Sequence, residues 1–385
     1  MKILVLGTIP LTFGGKISGG IATHIEGFST IFSERGNETT LWYHKLSKKY
    51  SKNRVNVIGN NLLSYLTILK YLHLFFHEKA SNLSLFKKVI LIYQYSRLKT
   101  ILKENSFDVI HIHSYFNTSG IALQLLKSKT PVVFTDHGFW QYYNFESSMN
   151  NQICNENLKI ANKIIYISDY SYSQNMKYNF NHQNKLVKIK NPINVIPSQD
   201  SINLEASNKK IIFFNGISET IKRKQLDILL QAIEIDPLLR EETKAVVIVN
   251  ELGIKYINEN NFSFPIEKYN GLSWEEIKKR YLQCDLLVVP STSESFGLVY
   301  IEALSYGKPI IGYDKVVKEF KKDYGVYIGE EYVGNDIKEL SLKIKTALEA
   351  DFNENILIDK TYNLFSWEKN IIKFETLYKE LIALY

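Results

Sequence analysis

The sequence predicts an α/β protein made of two doubly wound domains. Three observations carry that expectation: the length, a repeated alternation of short apolar runs with longer helical patterns, and a polar break near the middle. The chain has 385 residues, enough for about two domains at roughly 100–200 residues each. Hydrophobic residues make up 45% and charged residues 23%, with 19 Gly and 8 Pro, a balance that excludes disordered and collagen-like classes.

In the first half the expected strands are KILVLG, TTLWYH, DVIHIH, PVVFTD, KIIYIS and LVKIK; in the second they are KIIFFNG, AVVIVN, IEKYNG, DLLVVPS, KPIIGYD and GVYIG. Short β-rich runs alternating with helical patterns over this length specify parallel sheets covered by helices on both faces. Between the halves Asn191 to Lys209, polar and carrying two prolines, is the expected linker. Two such domains place their ligand crevices at the carboxyl ends of the strands, so a small molecule in a cleft is the expected target.

Several classes drop out. MKILVLGTIP lacks the charged region, apolar region and cleavage site of a signal peptide and reads as a first buried strand. Leu62 to Phe76, the most apolar stretch, is broken by Lys70 and His73 and is shorter than the roughly 20 residues a bilayer crossing needs. Cys154 and Cys284 lie far apart, with no Cys/His cluster at zinc-ligand spacing. Neither a disulfide framework nor a structural zinc is expected, and a reducing cytoplasm fits best.

The charge is uneven. The chain carries +7 in all, whereas residues 45–105 hold twelve Lys/Arg against two acids, a net +10. Between those charges sit Leu62, Leu63, Tyr65, Leu66, Leu69, Leu72, Phe75, Phe76, Leu83, Phe86, Val89, Ile90 and Tyr93, many of them three or four apart as on amphipathic helices. Basic heads with apolar flanks suit peripheral contact with an anionic membrane surface, at the inner face of the cytoplasmic membrane. A solvated helix face over a core is the other reading. No recognition motif for nucleic acid accompanies the charge.

The densest signal is DLLVVPSTSESFGLVYIEALSYGKPII, residues 285–311. A buried strand ends at Pro290, and a Ser/Thr/Glu turn follows. A helix is then expected from near Phe296 to about Tyr306, stopped by Gly307. The N–H groups of Phe296, Gly297 and Leu298 would be unpaired donors of the first turn, and with the helix dipole they suit a diphosphate. Glu294 lies at the helix mouth and Glu302 two turns in, so the two carboxylates can accept from hydroxyls on either side of the phosphates. A nucleotide sugar has that layout.

This segment closely resembles the Glu-x7-Glu signature of the retaining glycosyltransferases of family 4, whose GT-B fold consists of two Rossmann-like domains facing a cleft. The resemblance implies that Glu294 holds donor-sugar hydroxyls, Glu302 the ribose, and the backbone of Phe296, Gly297 and Leu298 the diphosphate. Further matches follow in the family's order. Residues 14–44 resemble the Gly-rich loop and first helix, with Gly19 and Gly20 toward the donor and His24 toward the acceptor. FTDHGFWQYY puts His137 straight after a strand, where the family has a functional histidine close to the reacting centre, and Trp140, Tyr142 and Tyr143 are candidate acceptor contacts. His111 and His113, alternating along a strand, read as structural or peripheral.

Residues 211–233, IIFFNGISETIKRKQLDILLQAI, resemble the family's strand, glycine (Gly216) and basic pair. Cations there neutralise a departing diphosphate. The sequence departs from the family in having Ile217 where an Arg often stands; Lys224 best fits the family Lys, and either Arg223 or Lys222 substitutes for the Arg. The tail from Phe365 resembles the C-terminal helix that crosses back onto the first domain. The implied division is 1–195 for an acceptor-side domain, 196–365 for a nucleotide-sugar domain and 366–385 for the returning helix.

No two aspartates stand two apart, so the D-x-D metal clamp of another glycosyltransferase class is absent, and neither a metal nor another cofactor is expected. The resemblance implies a retaining, metal-independent hexosyltransferase-type enzyme. It would move sugar from a nucleotide-diphosphate donor, UDP by frequency in the family, to a glycan or lipid-linked oligosaccharide of a bacterial O-antigen, capsule or exopolysaccharide. The alternatives are a nucleotide-sugar epimerase or hydrolase of the same fold and a non-catalytic sugar-nucleotide-binding partner subunit.

Overall fold

The computed structural model describes all residues except 17–18, 61, 114–116, 139–147, 178–181, 195–207 and 218–219. The chain divides into two compact units, Met1–Pro192 with Asn370–Tyr385, and Ile193–Lys369. The expected linker falls largely outside the described residues.

The first unit contains β1 (Lys2–Leu6), β2 (Glu38–Trp42), β3 (Tyr50–Lys52), β4 (Val55–Val57), β5 (Val109–Ile112), β6 (Val132–Asp136), β7 (Lys163–Tyr166) and β8 (Leu186–Lys188). They form one sheet in the order β3-β4-β2-β1-β5-β6-β7-β8, parallel except for the β3–β4 hairpin. That hairpin escaped the apolar-run criterion because its strands are short and largely polar. Its turn residues Asn53 and Arg54 adopt φ of 49° and 60°, the left-handed pair that a tight two-residue hairpin requires. Leu4, Leu6, Ile110, Ile112, Phe134 and Ile164 fill the core, as expected for central strands covered on both faces.

The stretch Leu62–Phe76 winds as a 3-10 helix broken at Tyr71 (φ −130°), not as an α-helix. Leu66, Leu69 and Leu72 recur every third residue and are all exposed. Leu66 and Leu69, three apart and on the same side of the break at Tyr71, share one face of the 3-10 helix.

The helix Trp367–Ala383 supplies the rest of the first unit from Asn370 onward. Phe374 meets Phe28 at 5.5 Å between ring centroids. Arg35 donates to both carboxylate oxygens of Glu375 at 2.9 and 3.0 Å, and the Tyr378 hydroxyl lies 2.7 Å from His111 Nδ1.

The second unit contains β9 (Lys210–Asn215), β10 (Thr243–Ile248), β11 (Ile266–Tyr269), β12 (Leu286–Val289), β13 (Ile310–Tyr313) and β14 (Gly329–Tyr332). All are parallel, in the order β11-β10-β9-β12-β13-β14. The last strand begins where the expected GVYIG ends. Gly325 (φ 62°) is the left-handed cap of the helix Asp314–Tyr324, so the residues after it lead out of that helix before pairing begins. In each sheet the winding reverses beside the first strand, between β1 and β5 and between β9 and β12, and a crevice opens at the carboxyl ends there. No helix among the described residues is long and apolar enough to cross a membrane.

Candidate active site

In the second unit the loop after β12 brings Glu294 to the turn that follows β9. Lys224 Nζ donates to Glu294 Oε1, Arg223 Nη1 donates to the same oxygen at 3.2 Å, and Ser291 Oγ does so at 3.0 Å. Burial alone would push this carboxyl up, but the cations of Lys224 and Arg223 outweigh it and hold the group below the usual carboxylate range. A second tie joins the loops, from Thr292 N to Arg223 O at 2.9 Å. Of the candidate cations, Arg223 and Lys224 face Glu294, whereas Lys222 is exposed. Ile217 is 44% exposed.

The helix after this loop runs from Leu298 to Ser305, so it starts two residues later than expected. Gly297 sits at φ 72° and ψ 58°, and a Cβ there would lie 2.3 Å from the Tyr300 ring, which leaves only glycine at this position. Phe296 is anchored in the core, edge-on to Phe320 and Phe365 at 5.6 and 5.9 Å. Tyr300 locks the helix to the sheet, donating to Val289 O at 2.8 Å and accepting from Tyr313 N at 3.1 Å. Gly216, just past β9, packs against Lys224 and donates its N–H to Ile248 O at 2.9 Å.

Glu302 is half-buried in that helix. The Tyr281 hydroxyl donates to its Oε2 at 2.7 Å and receives the Asn215 amide at 3.3 Å. Burial pushes the Glu302 carboxyl above its ordinary value, against the opposing hydrogen bond from Tyr281. Tyr281 and Ser291 position the two carboxylates and were not singled out from sequence. Position 291 is the serine of the PS dipeptide that precedes the motif, which is the one signal pointing to it.

In the first unit the crevice between β1 and β5 gathers imidazoles. His24 comes from the helix Gly20–Glu34, His113 from the end of β5 and His137 from the end of β6. Their ring nitrogens lie within 4.8 Å of one another, with His113 Nδ1 3.1 Å from His137 Nε2. His111 turns its two nitrogens to Thr135 Oγ1 and the Tyr378 hydroxyl, each at 2.7 Å. Burial holds all four well below the ordinary histidine value, His111 and His137 at about 3, so they are neutral at working pH. The sequence reading missed the association of His24 and His113 with His137. The H-x-H spacing shows only that His111 and His113 share a face and carries no signal for His24 or His137.

Gly19 (φ 131°) precedes that helix as its cap, and Gly20 is its first residue. Trp140, Tyr142 and Tyr143 lie outside the described residues.

Two family models match the chain, Glycosyltransferase Family 4 over residues 18–195 and Glycosyl transferases group 1 over residues 195–363. An uncharacterized glycosyltransferase of Methanocaldococcus jannaschii is 28% identical over 312 residues, which cover 76% of this chain and 80% of that protein. An uncharacterized 41.2 kDa protein in the cps region of Klebsiella pneumoniae is 26% identical over 260 residues, 61% of this chain and 67% of that one. Among solved structures, a sucrose-phosphate synthase from Thermosynechococcus elongatus superposes with a TM-score of 0.76 at 16% identity, covering 100% of both chains. With both of its doubly wound domains matched in order, the chain belongs to the GT-B glycosyltransferases, in a family 4-like branch, and is an enzyme of hexosyltransferase type.

Proposed function

We propose that the chain transfers a hexose, with retention of configuration, from a nucleotide-diphosphate sugar to a glycan or lipid-linked oligosaccharide of a bacterial surface polysaccharide. The observation that carries the reading is the Lys224, Arg223 and Glu294 cluster beside the glycine-opened helix start. The amides of Phe296, Gly297 and Leu298 and the two cations take the diphosphate and stabilise it as the glycosidic bond breaks, which makes a metal at that position unnecessary. Glu294 orients sugar hydroxyls and Glu302 holds the ribose. Glu294 acts as an orienting group and not as a nucleophile, because two cations already engage its Oε1. His137 works at the sugar as the anomeric carbon passes through an oxocarbenium-like state.

UDP is the proposed nucleotide. The surface-polysaccharide acceptor draws support from the relative in the cps region of Klebsiella pneumoniae. Peripheral contact with an anionic membrane draws support from the first unit, where Phe76 is 88% exposed and Leu69, Leu85 and Phe86 are exposed among the lysines of residues 45–105.

Melting curves with UDP, GDP, ADP, dTDP and CMP, each with and without EDTA, test the reading, because a ligand selective for the native state raises the melting temperature. One diphosphate should stabilise the protein despite EDTA. No shift with any nucleotide would overturn the donor site, and the exposed Ile217 in place of a cation would then favour a non-catalytic partner. Turnover of the donor with no glycan product would favour an epimerase or hydrolase.

A further inference from the structure

We propose that His24, His113 and His137 form a binding site for a divalent transition ion of the zinc class. Three elements of the first unit deliver one imidazole each to the β1/β5 crevice: the helix Gly20–Glu34, the end of β5 and the end of β6. Their ring centroids are 4.9 Å apart for His24 and His137, and 5.4 Å for each of the other two pairs.

A tetrahedral ion with nitrogens at about 2.0–2.1 Å holds them about 3.4 Å from one another. His113 Nδ1 and His137 Nε2 are already at 3.1 Å, and the full set, within 4.8 Å, closes by side-chain rotation. An ion there would replace the hydrogen bond that His113 Nδ1 and His137 Nε2 now share, leaving His113 Nε2, on the far edge of the ring, as it is.

The donor set decides the class of ion. Three imidazoles with an open fourth position suit Zn2+, Co2+, Ni2+ or Cu2+, whereas Mg2+ and Ca2+ require oxygen ligands. Among the described residues the group contains no carboxylate. The neighbouring Asp136 is committed to Gly138 N at 2.7 Å and Ser171 Oγ at 2.8 Å. His137 is the half-buried member and gives the ion its way in. Sequence spacing concealed the site because positions 24, 113 and 137 meet only through the parallel sheet.

An ion here engages His137, so it inhibits transfer. That consequence rests on the reading of His137 given above; the binding itself does not.

The test titrates EDTA-dialysed, tag-free protein with Co2+ and follows visible absorption. One equivalent should give the intense d–d bands of four-coordinate cobalt. An equivalent of Zn2+ should abolish them and a large excess of Mg2+ should not. The bands should be lost in His137→Gln and His113→Gln and kept in His73→Ala, an exposed surface histidine. Near-UV circular dichroism reports whether each variant is folded, and His137→Gln, the least buried change, keeps the test decisive if His113→Gln does not fold. Absence of bands in the wild type, or their persistence in folded His137→Gln, overturns the site. Bands without inhibition of transfer uphold the site and overturn the assignment of His137 to the sugar.

Discussion

The crevice at β1 and β5 and the crevice at β9 and β12 have the same topology and opposite materials. One gathers imidazoles: buried His24 and His113 with half-buried His137, and buried His111 beside His113. The other gathers a buried carboxylate and two cations, Glu294 with Lys224 and Arg223. The doubly wound sheet fixes where a crevice forms, and the residues just past the strands decide what chemistry it holds. The materials also differ in how they tolerate change. Neutral rings lose little when one is replaced by a polar group of similar size, whereas a buried charge stripped of its partner is strongly destabilising.

The largest effect tests that asymmetry directly. Lys224→Ala should destabilise the protein by about 1.5–3 kcal/mol in urea unfolding, the cost of one hydrogen bond to a charged group while Arg223 and Ser291 still engage Glu294, and a Lys224→Ala/Glu294→Ala double variant should regain part of the loss. A double variant no more stable than the single one would show that the pair is not what makes this crevice sensitive. Next, Glu294→Gln keeps the shape and removes the charge. Transfer should fall about 10²–10³-fold, the cost of losing one preorganised polar contact to the reacting sugar, and full activity in this variant would remove Glu294 from the site.

His137→Gln should lower transfer by about 10²-fold while shifting the melting temperature less than Lys224→Ala does; equal shifts would erase the contrast between the two crevices. The smallest effect concerns the support behind the imidazoles. Tyr378→Phe removes the hydroxyl at His111 Nδ1 and should cost about 1–2 kcal/mol, measured by the same unfolding curves.

Much of this was legible in the sequence because the signals were local. The alternation of apolar runs gave both sheets, and a helix stop such as Gly307 (φ 74°) announces itself through its own residue type. The cations facing Glu294 could be narrowed only to a short run, since a basic turn does not reveal which side chain points inward. Other features depend on packing and backbone geometry that residue type alone does not announce. The helix start at Leu298 is set by the Tyr300 ring that Gly297 must clear. The β3–β4 hairpin is specified by backbone geometry at Asn53 and Arg54, not by any apolar run. The histidine cluster joins residues 24 to 113 positions apart, and no spacing rule finds it.

The return of Asn370–Tyr385 to the first unit has a consequence during synthesis. By Lys188 a nascent chain has all eight strands of the first sheet, yet Phe28 still lacks Phe374, His111 lacks Tyr378 and Arg35 lacks Glu375. The unit Ile193–Lys369 is uninterrupted in sequence and can close as it leaves the ribosome. At roughly 5–20 residues per second, the earlier domain then waits about 10–40 s for its last helix, so the order of completion reverses the order of translation. Through that interval an apolar groove meant for Phe374 and Tyr378 stands open, and it is the part of the nascent chain a chaperone would be expected to cover.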